Sequence, residues 1–490
     1  MADEAVSHDP FGDFQTPPEL ASEIWRAVDC SDIDVLVEPT VGKGIFLSTV
    51  PVALQQLGWV AYDIDADYVE TARAVARKRG LKARIECKDA FSLDDGDLSG
   101  DVAGKAVLAI GNPPWVTNSA QGTASSANVP NKVNRFGLRG LDAMTGKANF
   151  DIAEAILLSV LSALSAADEV RFAFLIKRSV AIKMAKDLLG VPGVVAAAFS
   201  RIEAQKWFGA SVEAGLFQLT FKRSSVSSTD RLLLAETPGG PVTGEAGMVE
   251  GVFVGDLSRY AEARAIEATD GERLVWRQGI KHDVAKVLEL KLAPGGLMNG
   301  FDDVVDVEDE VLCPFFKSSD VAAGRPARRR FPLYQHDLSG PVEGLAQRWP
   351  KLAVYLDSFR DRFTARGSSI YRDKPDFMLF GVGPYTLAPF KVAISGFYKE
   401  PRFTLLTPDE SKRPPLVDDT CYMLPFWAED EAIEMTRYLN SLPVQKFLAS
   451  IVDTTAKRPY TKDVLGRIAA PADFVSSAQA IPTVALVGSA

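Results

Sequence analysis

Along residues 1–222 the apolar positions fall into short unbroken runs, separated by stretches in which they recur every three or four residues. The runs 34–38 (DVLVE), 59–62 (WVAY), 83–86 (ARIE), 106–110 (AVLAI) and 170–176 (VRFAFLI) have the length and continuity of strands buried on both faces. Helical spacing over 66–79 and 151–166 places helices among them. That alternation predicts an α/β fold, a doubly wound and mostly parallel sheet over residues 1–223, with 216–221 (LFQLTF) a late strand closing it. Near the chain start, Thr16-Pro17-Pro18-Glu19 predicts a helix with Thr16 as N-cap, Pro17 in the first position and Glu19 completing a capping box.

The rhythm then breaks. Residues 224–255 are rich in Ser, Thr, Gly and Pro and read as a linker or an edge excursion of the sheet. Over 256–470 short strands and turns predominate, with an isolated helical stretch near 429–449, so a separate α+β domain is expected. The Ala-, Val- and Ser-rich tail 471–490 is expected to be disordered, and no internal repeat is present.

Composition narrows the picture only in part. A chain of 490 residues with 47% hydrophobic and 24% charged positions fits two or three folded domains. No apolar run reaches the roughly 18 residues of a membrane span, and the start MADEAVSHDP is acidic, so residence in the cytoplasm without a membrane partner is expected. Cys30, Cys87, Cys313 and Cys421 form no CxxC pair, and His8, His282 and His336 are the only histidines; no metal site is expected. The net charge of −10 argues against a general nucleic-acid coat. The balance is local, however: residues 311–467 hold 23 Lys and Arg against 18 Asp and Glu.

Candidate chemistry gathers where the predicted strands end. After the first comes Glu38-Pro39-Thr40-Val41-Gly42-Lys43-Gly44, where Gly42 and Gly44 would let the backbone approach a ligand closely. The third glycine of the dinucleotide fingerprint is missing, which turns the reading away from nicotinamide and flavin enzymes. Asp63, with Asp65 next, ends the second strand where a carboxylate can accept from ribose hydroxyls. After the third strand, Asp89 can accept from an adenine amino group and Phe91 can lie against its ring.

After the fourth strand stands Asn112-Pro113-Pro114-Trp115. An exocyclic base amine is a weak nucleophile because its lone pair is delocalised into the ring. Two acceptors aimed at its protons, the Asn112 side-chain oxygen and the Pro113 carbonyl, can localise that lone pair and steer it at a sulfonium methyl. Pro113 and Pro114 stiffen the turn, and Trp115 can stack on the base.

The order of these motifs over residues 15–221 resembles the gamma class of amino-methyltransferases, the N6-adenine DNA methyltransferases of bacterial restriction–modification systems. The resemblance implies a class I methyltransferase Rossmann-like sheet followed by a target-recognition domain, and S-adenosyl-L-methionine as cofactor. It implies that Thr16 and Pro17 touch the methionine moiety, that Glu38, Pro39, Thr40, Gly42, Gly44, Asp63, Asp65, Asp89, Phe91 and Asn112 serve the cofactor, and that Phe208 stacks on a flipped base opposite Trp115. Trp207 is an equally aromatic neighbour of Phe208. The runs 146–151 (GKANFD) and 176–179 (IKRS) resemble further segments of the class. Double-stranded DNA is the implied partner, with a separately encoded cognate restriction endonuclease as a second.

Candidate DNA contacts are Lys132, Arg135 and Arg139 in the long polar loop 117–147, and Arg277, Lys399, Arg402, Lys457 and Arg458 in the second domain. Arg325, Arg328, Arg329 and Arg330 form a basic cluster in an expected loop, suited to phosphate or to solvent. Three alternatives remain open: N4-cytosine methylation by the same chemistry, methylation of RNA or a protein amide, and a DNA-binding module without catalysis. Asn rather than Ser at 112 favours adenine over cytosine by the resemblance, and the long second half favours DNA over RNA or a protein amide.

Overall fold

The computed structural model describes residues 14–115, 151–269, 271–454 and 456–471, which form two compact units, Met1–Ser258 and Arg259–Ala490. The candidates Lys132, Arg135 and Arg139, the run 146–150 and the tail from 472 lie outside the described residues.

The first unit is built on ten strands: β1 (Val35–Glu38), β2 (Gly58–Asp63), β3 (Lys82–Cys87), β4 (Ala106–Gly111), β5 (Glu169–Lys177), β6 (Val194–Ile202), β7 (Ala214–Lys222), β8 (Arg231–Ala235), β9 (Val242–Val249) and β10 (Val252–Val254). Their order is β10-β9-β8-β6-β7-β5-β4-β1-β2-β3. Strands β1 to β5 pair in parallel, and β7 runs antiparallel between β5 and β6. This is the class I methyltransferase sheet that the resemblance implies. Within residues 224–255, read from the sequence as a linker or an edge excursion, β8 pairs in parallel with β6, and β9 and β10 extend that edge.

Successive residues of the central strands feed opposite faces, as the two-residue repeat of a strand requires. Val35 and Val37 pack with helices Ile152–Ala163 and Arg178–Leu188, whereas Leu36 packs with helices Pro18–Ala27, Ile45–Thr49 and Ala66–Arg79. Leu20, Ile24, Leu36 and Leu47 are fully buried, each worth roughly 1.5–3 kcal/mol against exposure. Because β1 to β4 are parallel, their carboxyl ends share one edge, and the loops that leave it carry the candidate chemistry.

Two local expectations are corrected. The first helix starts one residue later than its pattern predicts: Pro17 is the N-cap, extended at ψ 147°, Pro18 opens the helix, and no side chain caps it. The cause is the Pro-Pro step, since a residue before proline is driven out of helical conformation. Thr16 is thereby released from capping and lies buried. The second correction concerns the stretch near 429–449, which is two helices, Glu429–Leu439 and Leu442–Ile451. Asn440 ends the first by exchanging hydrogen bonds with the backbone of Phe403, and a proline at the start of the second favours a fresh helix there.

The second unit holds a five-stranded sheet, β13-β12-β15-β14-β18, and a four-stranded sheet, β11-β19-β16-β17. Their ranges are β11 (Arg277–Gln278), β12 (Leu290–Ala293), β13 (Gly296–Met298), β14 (Leu312–Phe316), β15 (Arg329–Pro332), β16 (Phe390–Ser395), β17 (Phe403–Leu406), β18 (Leu416–Val417) and β19 (Cys421–Phe426). Arg329 and Arg330 sit in β15, not in a loop. Arg329 pairs with Glu289 at 3.4 Å and Arg330 with Asp409 at 2.9 Å, so structure claims both charges. Lys317 bridges the buried Glu289 and Asp418, each at 2.7 Å.

Candidate active site

The glycine loop leaves β1 and returns over the ends of β2 and β4. Asp63 fixes its course: one carboxylate oxygen accepts from the Gly42 amide at 2.8 Å and the other from the Asp65 amide at 3.0 Å. Gly42 and Gly44 both have positive φ, 50° and 80°. What approaches them is protein. A Cβ on Gly44 would stand 3.2 Å from the Ala72 Cα, so this glycine lets the loop pack on helix Ala66–Arg79; a Cβ on Gly42 would meet the Gln15 side chain at 3.3 Å.

The acidic candidates separate by what they hold. Asp65 is the N-cap of helix Ala66–Arg79, one carboxylate oxygen accepting from the amides of Asp67 and Tyr68. Asp89 caps the turn Ala90–Ser92 through the Phe91 amide, and Phe91 packs partly buried against the core. Glu38 is of another kind. It is 1% exposed, and its Oε2 has no hydrogen-bond partner. Burial, and after it the charge of Asp63, hold its carboxyl well above the usual carboxylate range.

The catalytic candidates follow β4. The Asn112 Nδ2 donates to the Phe14 backbone carbonyl at 2.8 Å, while its Oδ1 is buried without a partner among the described residues. Only the amide nitrogen can donate to a carbonyl, so this bond turns Oδ1 the other way as an acceptor. Phe14 was not singled out in the sequence. Its ring also packs on Trp115 and Phe208, at centroid distances of 5.4 and 5.6 Å. Its place two residues before Thr16, next to an expected aromatic pair, is the signal that could have found it.

The aromatic pair departs from the expected base slot. Trp115 and Phe208 touch edge to face at 5.0 Å, whereas rings sandwiching a base stand roughly 7 Å apart. The Trp115 indole N–H donates to the Leu175 carbonyl at 3.1 Å, and both rings belong to the core. Of the two neighbouring aromatics, Phe208 is the buried one; Trp207 is half-buried under the Lys206 ammonium.

No family model matches the chain. Over 465 residues, 94% of this chain and 96% of the relative, it is 32% identical to the type II methyltransferase M.NspV of Nostoc sp. strain PCC 7524. The chain belongs to the type II methyltransferases. Two solved structures match part of the chain. One, assigned as the modification subunit of a type I restriction enzyme from Vibrio vulnificus YJ016, matches 49% of this chain and 50% of its own, at 14% identity and a TM-score of 0.33. The other, the EcoKI M protein of a type I restriction enzyme, matches 46% and 48%, at 11% identity and a TM-score of 0.31. The chain thus spans about half the length of either solved structure.

The cofactor of this methyltransferase is S-adenosyl-L-methionine, and its residues fit that molecule. Glu38 Oε2, Thr40 Oγ1 and Asn112 Oδ1 are buried acceptors without partners among the described residues, all at or just beyond the carboxyl ends of β1 and β4. Thr40 Oγ1 lies 3.6 Å from where a Cβ on Gly111 would stand, so the glycine loop and the catalytic turn are neighbours. Unpaired buried acceptors cost free energy unless a donor completes them, and a cofactor with an ammonium and hydroxyl groups supplies such donors.

In the second unit the methyltransferase brings some basic candidates together. Arg458 lies over the Phe397 ring at 4.8 Å, and the Tyr460 hydroxyl donates to the Lys399 carbonyl at 2.6 Å, so Lys399, Lys457 and Arg458 sit on neighbouring loops. Arg277 is on β11 over the Tyr385 ring, and Arg402 donates to the Ala323 carbonyl. Among the described residues no helix is long and apolar enough to cross a membrane.

Proposed function

We propose that this methyltransferase methylates N6 of an adenine flipped out of duplex DNA, at a specific sequence, in a restriction–modification or phage-defence setting. The observation that carries the reading is the Asn112 amide, held through its nitrogen by Phe14 so that its buried oxygen is left to accept. S-adenosyl-L-methionine supplies an electrophilic methyl on a sulfonium, and transfer leaves a neutral thioether. Asn112 Oδ1 and the Pro113 carbonyl take the two N6–H bonds, which localises the nitrogen lone pair and orients it. Pro113 has no N–H to compete for the base.

Glu38 and Thr40 hold the donor groups of the cofactor, while Asp63 and Asp89, oriented by backbone amides, serve its ribose and adenine. Flipping costs a few kcal/mol, and stacking on an aromatic face returns about 1–3 kcal/mol. Trp115 and Phe208 must part for a base to enter between them, because at 5.0 Å they fill their own slot.

Digestion of enzyme-treated DNA to nucleosides, read by mass spectrometry, tests the reading. N6-methyladenine is expected. N4-methylcytosine overturns the choice of base, and no methylated base overturns DNA as substrate.

A further inference from the structure

Three segments of the second unit lie side by side without room for a side chain between them. Residues 278–283 form the middle one. On one side the Gly279 and Ile280 amides donate to the carbonyls of Cys421 and Val417; on the other, Lys281 and Phe380 exchange backbone bonds at 2.8 and 3.0 Å. A Cβ on Gly279 would stand 2.0 Å from the Asp418 carbonyl oxygen, and one on Gly381 2.1 Å from that of Gly279. The flanks hold Asp283, Asp373 and Phe377 at φ 56°, 59° and 61°, a region costly for side-chain-bearing residues and kept where surrounding structure fixes it. Arg366 ties two of the segments, donating to the Met378 carbonyl at 2.6 Å and the His282 carbonyl at 3.4 Å.

The charges on this platform are not equivalent. Asp283 pairs with Lys281 at 2.7 Å. Asp419 is half-buried, and its carboxylate makes no hydrogen bond or ion pair among the described residues. Burial, then Asp418, raises its pKa, and Asp283 acts in the same sense, while Lys281 and Arg458 face it with opposite charge. Nearby, Tyr371 is 9% exposed with a hydroxyl that has no partner; the Arg366 guanidinium covers its ring at 3.6 Å, and Asp283 and Asp419 both act on it. No group of three His, Cys, Asp or Glu among the described residues is set to hold a metal. A carboxylate that two acids and two cations face is repelled by phosphate and selects an amine on the same polyanion.

We propose that this platform reads the DNA sequence and that Asp419 determines specificity by accepting from the N4 amine of a cytosine in the major groove. The proposal rests on the DNA reading given above. Lys281 and Arg458 engage the flanking phosphates, and the rigid three-segment base sets the carboxylate's position before DNA arrives.

The test is methylation of a randomised duplex library by the wild type, Asp419→Asn and Asp419→Ala, with the bases around each methylated position read by sequencing. Both variants should lose the preference at one C·G pair, on the order of tenfold, and keep the rest of the site. A second arm leaves the protein untouched: a duplex whose required cytosine is replaced by an analogue lacking the N4 amine should cost the wild type the same factor and cost Asp419→Ala nothing more. Unchanged preferences in both variants, a wild-type site without a C·G pair, or additive losses in the second arm overturn the proposal. A wild type that methylates no DNA overturns the parent reading, which is a different result from a specific wild type with indifferent variants.

Discussion

The carboxyl edge of the first sheet and the three-segment platform of the second unit both gather polar groups, by opposite means. On the sheet edge, parallel pairing of β1 to β4 delivers each loop to one place, and each functional side chain stands within a few residues of a strand end. On the platform, residues 278–283, 371–381 and 417–421 meet through backbone packing at glycines, with no repeating element to announce it. A catalytic site of the first kind is rooted in the core and fixed for one chemistry. A surface of the second kind can change its side chains while its backbone contacts persist, which suits a part that selects among sequences.

The comparison breaks most visibly if the units are separated. Truncation after Ser258 should leave cofactor binding, measured by calorimetry, within several-fold of the full chain and abolish DNA site preference. A truncated protein that still methylates one site would move recognition to the first unit.

Next in size is Phe14→Ala. Without the ring that packs on Trp115 and Phe208, the Phe14 carbonyl loses its anchor and Asn112 its orientation. Single-turnover transfer should fall about 10- to 100-fold, with cofactor affinity little changed.

Glu38→Gln should weaken cofactor binding about tenfold. It should also raise the Tm of the cofactor-free protein at pH 8, a gain of about 1 kcal/mol. The sign follows from the raised Glu38 pKa. The folded protein keeps a proton that the unfolded chain releases, so wild-type stability falls as pH rises from the usual carboxylate range through the folded pKa. The variant should lack that fall.

The smallest effect lies in the second unit. Lys391 is fully buried, donates to the Thr386 and Ala388 carbonyls, and is pushed down to about 7 by burial. The unfolded chain then binds the extra proton between pH 7 and the usual lysine range near 10.4, so stability rises with pH across that window, by at most about 1.4 kcal/mol per pH unit. Denaturant melts should show this slope in the wild type and its loss in Lys391→Met.

What the sequence disclosed follows the same division. Strands β1 to β5 and β7 were legible because buried parallel strands read as apolar runs. β6 was missed because its Val-Val-Ala-Ala-Ala start is small and alanine-rich and carries no strand signal. The Asn112 motif was legible from its place after β4. The orientation of its amide was not, since it depends on the carbonyl of a residue 98 positions away. At Asp65 a helix cap and a ribose ligand ask for the same residue at a strand end, so the sequence pattern does not tell them apart. The platform left no trace for a related reason: its contacts are backbone to backbone, and two glycines and three positive-φ residues do not announce which segments they join.

The most direct test of the central claim compares wild type and Asn112→Ala by nucleoside mass spectrometry, with cofactor binding measured on the same samples. On the proposed reading, N6-methyladenine is expected from the wild type, with a loss of at least about 100-fold in the variant and cofactor affinity changed by no more than a few-fold. Persistent turnover by Asn112→Ala would contradict the claim that its buried oxygen prepares the amine for transfer.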